Sequence, residues 1–340
     1  MRKLLNTLYI TTPESYLSKD GMNVVVSVKQ VETFRIPIIN IESIVTFGYM
    51  GASPGLMKLC ADNGVSLNFL SPSGRFISRI QGPTKGNVLL RTRQYWLSNE
   101  VDFSLSISRL FIAGKIHNYR SILRRFIRDY GNNKDVSDAI NILEKCRSEA
   151  LIINNIDELR GIEGGAANVY FSVFPHLVIN QKNDFTFNGR NRRPPKDAIN
   201  AMLSFAYTLI ANDICSALET VGLDPYVGFM HKLRPGRASL ALDLMEEFRA
   251  YIGDRLVLTL INRRQITKND FIKQGEEGIV MTDNGRKVFL TAWQSKKKEE
   301  IIHPFLNEKI PIGLLPYVQA MLLARYFRND IDNYPVFLIK

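Results

Sequence analysis

Cysteine is scarce in this chain: 340 residues contain three, Cys60, Cys146 and Cys215. They lie far apart and are odd in number, which excludes a disulfide framework and a cysteine-built zinc site and fits reduced core thiols. Long apolar runs are missing as well. No stretch approaches the ~20 residues that span a bilayer, and the start, Met1-Arg2-Lys3-Leu4-Leu5-Asn6-Thr7, lacks the continuous apolar region of a signal peptide. Cytoplasmic residence is the expectation. A Gly-rich phosphate loop of the nucleotide-binding type is also absent, so no ATP site is expected. Acidic residues are the minority. Lys and Arg number 44 against 33 Asp and Glu, for a formal charge of +11 and a pI near 9.5, a balance that favours polyanionic partners.

With 45% hydrophobic residues the chain has ample material for cores, and its length suggests roughly two domains of about 150 residues. The first part reads as short strands. Tyr16 to Ser18 and Met22 to Val28 flank Lys19-Asp20-Gly21, where Gly supplies the positive φ of a tight hairpin turn. Thr33 to Ile38, Glu42 to Phe47, Ser66 to Leu70 and Arg75 to Ile80 are further strands, and Pro54 to Asn63 has helical spacing. After Gly82-Pro83 the texture becomes helical, placing a boundary between residues 82 and 92. Helices are predicted around 94–130, 135–150, 156–174, 197–221, 239–252 and 312–328. Asp197 and Gly222 bracket one of them, and Ser239 and Gly253 another. Residues 279–300 fit either a hairpin turning at Asp283-Asn284-Gly285 or a helix carrying Val288, Leu290 and Trp293. The fold class is α+β: a β-rich domain over residues 1–85, then a larger all-α domain over 86–340.

On the helix from Ser239, the residues Ala241, Leu244, Met245, Phe248 and Ile252 form an apolar stripe that faces the core. Asp243, Glu246 and Glu247 then share another face. Carboxylates crowded in this way repel one another unless a cation intervenes, and either a divalent metal or neighbouring arginines would serve. His231 emerges from the apolar run Tyr226 to Met230 into a basic loop holding Lys232, Arg234 and Arg237. A carboxylate-rich site with one imidazole suits Mn²⁺ as well as Mg²⁺. Glu163 lies on a helix marked by Ile156, Leu159, Ala166, Ala167 and Tyr170, yet Gly161, Gly164 and Gly165 surround it. Each interior Gly costs about 1 kcal/mol relative to Ala, so close approach of another helix or of a DNA backbone is the simplest reason for three.

Two stretches add positive charge. Arg120, Arg124 and Arg128, with Arg125 beside them, form a basic stripe on one helix face. The loop Asn188-Gly189-Arg190-Asn191-Arg192-Arg193-Pro194-Pro195-Lys196 is held extended by its prolines. Lys296-Lys297-Lys298 reads as a solvated face, and His117, His176 and His303 as structural.

Three separated motifs, Leu159 to Phe171 around Glu163, Arg190 to Pro195 with Asn200 to Phe205, and Gly222 to Arg249, together resemble the integrase/endonuclease of CRISPR spacer acquisition, the first of the numbered CRISPR-associated proteins. The basic loop at 188–196 is similar to that of type I members, subtype C. This resemblance implies that Glu163, His231 and Glu246 bind Mg²⁺ or Mn²⁺ and carry catalysis, with Asp243 either ligating or supporting. Many members carry Asp where this chain has Glu246. It also implies phosphoryl transfer on double-stranded DNA, with a 3′-hydroxyl of a spacer fragment attacking a phosphodiester, and a basic surface to hold the fragment; Arg190, Arg192, Arg193, Lys232, Arg234, Arg237, Arg120 and Arg124 are the candidate DNA contacts. The implied assembly is a homodimer paired through the β-rich domain, two such dimers flanking a dimer of the second CRISPR-associated adaptation protein as a heterohexamer, with no membrane involved. A stand-alone nuclease for branched DNA shares the same site, and a non-catalytic DNA-bridging protein shares the basic surface.

Overall fold

The hairpin expected at Gly21 forms where the local chemistry demands it. Strands β2 (Ser15–Asp20) and β3 (Asn23–Val28) pair antiparallel with Asp20 opposite Asn23, and Gly21 turns the chain at φ +57°. A computed structural model describes residues 7–48, 50–71, 76–80, 82, 87–191, 194–275 and 278–339. Within them the N-terminal part holds two four-stranded sheets. One runs β1 (Thr7–Ile10), β5 (Ser43–Phe47), β7 (Ser66–Leu70), β8 (Phe76–Ile80). The other runs β4 (Val31–Pro37), β3, β2, β6 (Gly51–Ala52). The sequence reading missed β1 and the two-residue β6, both of which are defined by pairing with distant strands rather than by local pattern.

Helix α1 (Pro54–Asn63) begins because Ser53 Oγ accepts from the Leu56 N–H at 3.2 Å and Pro54 presets the first turn; it stops at Gly64 in the left-handed region. Leu17, Val24, Ile44, Leu56 and Leu67 are fully buried in the first core. Side chains alternate across a strand, so β5 serves two cores at once: Ile44 faces the first, while Val45 and Phe47 join the core of the helical part. The Phe47 ring meets Phe205 at 5.6 Å between centroids. Across the same junction, Arg79 pairs with Glu219.

The helical part comprises α2 (Val88–Asn99), α3 (Val101–Tyr130), α4 (Lys134–Ile152), α5 (Ile156–Val173) and α6 (Ala198–Val221). Farther along come α7 (Ser239–Met245), α8 (Arg255–Asn262), α9 (Asp283–Lys298) and α10 (Leu315–Phe327). Asp197 and Gly222 cap α6 as expected, with Asp197 Oδ1 accepting from Asn200 N at 2.7 Å and Gly222 at φ +89°. By length and composition α6 is the one helix among the described residues able to cross a membrane; 61% of its apolar window is buried inside the fold, as in a core helix. Residues 279–300 resolve in favour of the helix: Thr282 Oγ1 accepts from Gly285 N at 3.1 Å, so Gly285 lies in a helical first turn and no hairpin turns there.

The α+β class holds, and the second part is mostly rather than wholly helical, since β9 (Phe271–Gln274) pairs with β10 (Gly278–Met281) and β11 (Glu300–Ile302) with β12 (Lys309–Pro311). Three expectations are corrected. The segment 239–252 is not one regular helix, because α7 gives way to a turn and then to a π-helical stretch, Arg249–Asp254, that runs into α8. Ser239 and Gly253 do not cap it; Ser239 is the first helical residue, and Gly253 lies against the Tyr207 ring, where a Cβ would come within 3.0 Å of Cε1. Lys297 is buried against Asp213 at 2.8 Å rather than solvated.

The apolar end of the chain packs on its own fold. Tyr334 and Phe337 are buried. Asn118 on α3 donates to the Phe337 carbonyl at 2.9 Å and accepts from Ile339 N at 3.0 Å. Val336 crosses Gly114, where any Cβ would collide with it.

Candidate metal centre and its surroundings

Glu163 sits on α5, one face of which meets the loop that carries His231. Arg160, one turn earlier, donates to the Met230 carbonyl from Nε at 3.2 Å and from Nη2 at 2.6 Å, and Lys232 reaches Asp157 at 3.5 Å. These contacts fasten the loop to α5 immediately beside His231. From the other side, Gln94, fully buried on α2, brackets the loop: Nε2 donates to the carbonyls of Asp224 and Val227 at 2.8 Å, and Oε1 accepts from Asp224 N at 2.9 Å. The sequence reading named neither Arg160 nor Gln94, because nothing local to them announces a partner some 70 or 130 residues away.

Asp243, on α7, is completely buried and accepts four hydrogen bonds. Its Oδ2 takes the N–H groups of Phe229 (2.7 Å) and Met230 (3.1 Å); its Oδ1 takes the N–H of His231 (3.0 Å) and lies 2.5 Å from His231 Nδ1. Such a carboxylate fixes the imidazole's orientation and tautomer, leaving Nε2 as the outward nitrogen. Both oxygens are committed to this task. Gly228 makes the fit possible: a Cβ there would stand 2.7 Å from Asp243 Oδ2 and from the carbonyl carbon of Ser239.

Glu246 is 3% exposed and Glu163 26%. Both carboxylates converge on one ammonium, Lys115 of α3, which is itself 2% exposed: Nζ bonds Glu163 Oε1 and lies 2.8 Å from Glu246 Oε2. That Glu246 contact is ionic and lacks hydrogen-bond alignment, so Oε2 is a buried oxygen with no hydrogen-bond donor. Oε1 of Glu246 meets Arg249 Nη2 at 2.9 Å. Burial alone would raise the Glu246 carboxyl; Arg249, Lys115 and the nearby His231 outweigh it and bring it down to about 2. Glu247 points elsewhere, correcting the expectation of a single three-carboxylate face. It accepts from Gln319 Nε2 (2.8 Å), Tyr334 OH (2.7 Å) and Phe337 N (2.7 Å), holding the end of the chain, and burial pushes its carboxyl up to about 7. The irregular helix after Met245 separates the two neighbours' roles.

The donor set of Glu163, His231 and Glu246, two carboxylates and one imidazole, fits a divalent ion in its chemistry. As the side chains stand, no three His, Cys, Asp or Glu residues among the described ones form a metal-holding group; the two glutamates are instead engaged by Lys115. Among the described residues nothing lies within 4 Å of where a Cβ would be at Gly161, Gly164 or Gly165, so no described helix approaches them and the surface beside Glu163 is open.

The candidate DNA contacts divide. Lys232 and Arg234 are exposed, and Arg237 half-buried. Arg124 is exposed, but Arg120 is buried and paired with Glu144, which takes it out of the surface stripe. Arg190 turns inward onto α6, donating to Asn200 Oδ1 at 2.7 Å and Ser204 Oγ at 3.0 Å, with its guanidinium 5.4 Å from the Tyr207 ring centre. Asn200 in the first turn of α6 and Ser204 about one turn farther on are its acceptors. Arg192 and Arg193 lie outside the described residues.

Comparison with known proteins places this architecture. The family model described as CRISPR associated protein Cas1 matches residues 8–295. A protein of Chlorobaculum tepidum named CRISPR-associated endonuclease Cas1 1 is 50% identical over 341 residues, covering 99% of both chains. Among solved structures, a Cas6-RT-Cas1–Cas2 complex superposes with a TM-score of 0.86 at 20% identity, over 99% of this chain and 37% of that one. A casposase bound to an integration product superposes with a TM-score of 0.84 at 22% identity, over 98% and 93%. These last two show a shared fold, while the sequence matches show descent: the chain belongs to the Cas1 family of CRISPR-associated proteins.

Proposed function

We propose that this protein is a metal-dependent DNA endonuclease and integrase that inserts DNA fragments as new spacers into a CRISPR array. The observation that carries the reading is the convergence of Glu163 and Glu246 on one buried cation beside a histidine oriented by Asp243, in a chain whose relative is named an endonuclease. Glu163, His231 and Glu246 would hold Mg²⁺ or Mn²⁺, which when bound supplies charge neutralisation at a phosphodiester and alignment of the attacking oxygen. Asp243 acts through His231, presenting its Nε2. Arg249 fixes Glu246 from behind. The open glycine face of α5 allows a DNA backbone to come close to Glu163, and Lys232, Arg234, Arg237, Arg124 and the loop holding Arg192 and Arg193 offer phosphate contacts. In joining, a 3′-hydroxyl oxygen forms the new bond to phosphorus as the target's own 3′ oxygen leaves; with water in its place the outcome is cleavage.

Residues 1–85 serve as the dimerisation domain and 86–340 as the catalytic domain. Val31 and Phe34, exposed on the edge strand β4 and sharing one face of its sheet, offer apolar surface for a second copy. A Cas2 partner, such as the one in the solved complex that shares this fold, completes a heterohexamer that presents two sites to one duplex. The unpaired thiols suit the cytoplasm.

The test is strand transfer of a short duplex with free 3′-hydroxyls into supercoiled plasmid, with Mn²⁺ or with EDTA, for the parent, His231→Ala and Glu163→Ala. Metal-dependent joining that disappears in both variants is expected. Binding without metal-dependent turnover in the parent refutes the enzyme reading and leaves a DNA-bridging protein.

A further inference from the structure

Lys115 is a buried ammonium at the centre of the site, and the reaction proposed above gives it no part. It projects from α3 between Glu163 on α5 and Glu246 beyond α7, touches both carboxylates, and lies 5.7 Å from the centre of the Tyr119 ring. Tyr119 in turn stacks on Tyr170 at 3.8 Å, so the aromatic wall on that side is rigid. A lysine is an expensive residue to bury, and it stays charged inside a protein only where anions surround it. The two anions that do so here are two of the three groups assigned to the metal.

We infer that Lys115 is the resident counter-cation of this centre: its ammonium holds Glu163 and Glu246 in place when no divalent ion is bound, and the ion binds by displacing it. The inference rests on the metal reading above. Two cations cannot share the same carboxylate oxygens at short range without strong mutual repulsion. Arg249 keeps Glu246 Oε1 in either state, whereas Glu246 Oε2, facing Lys115 without hydrogen-bond alignment, is free to exchange one cation for another. Lys115 therefore sets how much metal is needed to occupy the site, and it keeps the carboxylates from springing apart while the site waits.

The test uses the full chain stripped with EDTA and Mn²⁺ alone as the probe. Calorimetric affinity and the thermal midpoint with and without Mn²⁺ are measured for the parent, Lys115→Met, Lys115→Gln and Glu163→Ala. Removal of the competitor is expected to tighten Mn²⁺ binding by roughly tenfold or more. It should also lower the midpoint in EDTA and enlarge the rise that Mn²⁺ produces, since two buried carboxylates are then left without a counter-charge until metal arrives. Should Lys115→Met fail to fold in EDTA, Lys115→Gln gives the same comparison, and recovery of Lys115→Met on adding Mn²⁺ supports displacement. Equal or weaker Mn²⁺ affinity in both Lys115 variants, with parent binding that is lost in Glu163→Ala, overturns this inference alone and makes Lys115 a permanent structural partner. Absence of Mn²⁺ binding in the parent overturns both this inference and the metal reading.

Discussion

Replacing Asp243 with Asn separates a ligand from a supporting residue. The carboxylate has no solvent exposure and accepts from three backbone N–H groups and from the His231 ring. An amide keeps one accepting oxygen and turns an NH₂ group toward donors, so at least two buried donors lose their acceptor. At about 1–3 kcal/mol for each unsatisfied group, the loss centres on about 4 kcal/mol. For 340 residues the unfolding entropy is about 0.7 kcal/mol/K, so this corresponds to a fall of roughly 6 °C in thermal midpoint. Released from its orienting carboxylate, His231 should also cost about 10–100-fold in metal affinity. Thermal unfolding in EDTA reads the first quantity and Mn²⁺ titration of cleavage the second. The reasoning is refuted if Asp243→Asn unfolds within about 1 °C of the parent; a normal midpoint combined with lost metal binding would make Asp243 a direct ligand.

Gly228→Ala drives a Cβ into the Ser239 backbone and the Asp243 carboxylate, so a loss of about 1–3 kcal/mol in chemical denaturation and failure of metal-dependent cutting are expected together; an active, equally stable variant would show that the loop relaxes freely. Burial lifts the Asp254 carboxyl to about 6 despite the hydrogen bond from Tyr207, against an unfolded value of about 3.9. The native state therefore holds the extra proton between those values, so parent stability should fall by about 3 kcal/mol as pH rises from about 4 to 6. Asp254→Asn removes that slope, and parallel pH profiles for the two proteins would contradict the assignment. Phe337→Ala empties a fully buried site beside Phe248 and Tyr251 and should cost about 3–5 kcal/mol in denaturant unfolding. A cost below about 1 kcal/mol would mean that the end of the chain does not dock in solution.

Local physics was legible before the fold was known. Strand alternation from residue 15 to 80, the hairpin at Gly21, the caps Asp197 and Gly222, and the apolar stripe of Leu244, Met245 and Phe248 are read from neighbours a few residues apart, and the structure has them all. Motif order likewise pointed to the family that the comparisons show. Where the reading failed, a distant partner decided. Arg120 and Glu144 pair between α3 and α4 and remove a charge from the surface. Arg190 satisfies α6 instead of facing outward. The turn at residues 246–248, after α7 ends, sends Glu247 toward the end of the chain and leaves Glu246 with Lys115, although the two glutamates are adjacent in sequence.

By itself, then, the sequence determined most of the helices and the longer N-terminal strands, the apolar faces they bury, and that acidic and imidazole groups would matter, because periodicity, capping and residue chemistry act over a turn of helix or a pair of residues. Only the tertiary structure decided which carboxylate orients His231, which one holds the chain end, and that Lys115, a lysine in an ordinary helical pattern, stands between Glu163 and Glu246. The physical reason is that Coulomb and hydrogen-bond energies depend on a few ångströms of separation in space, and packing, not chain order, sets that separation.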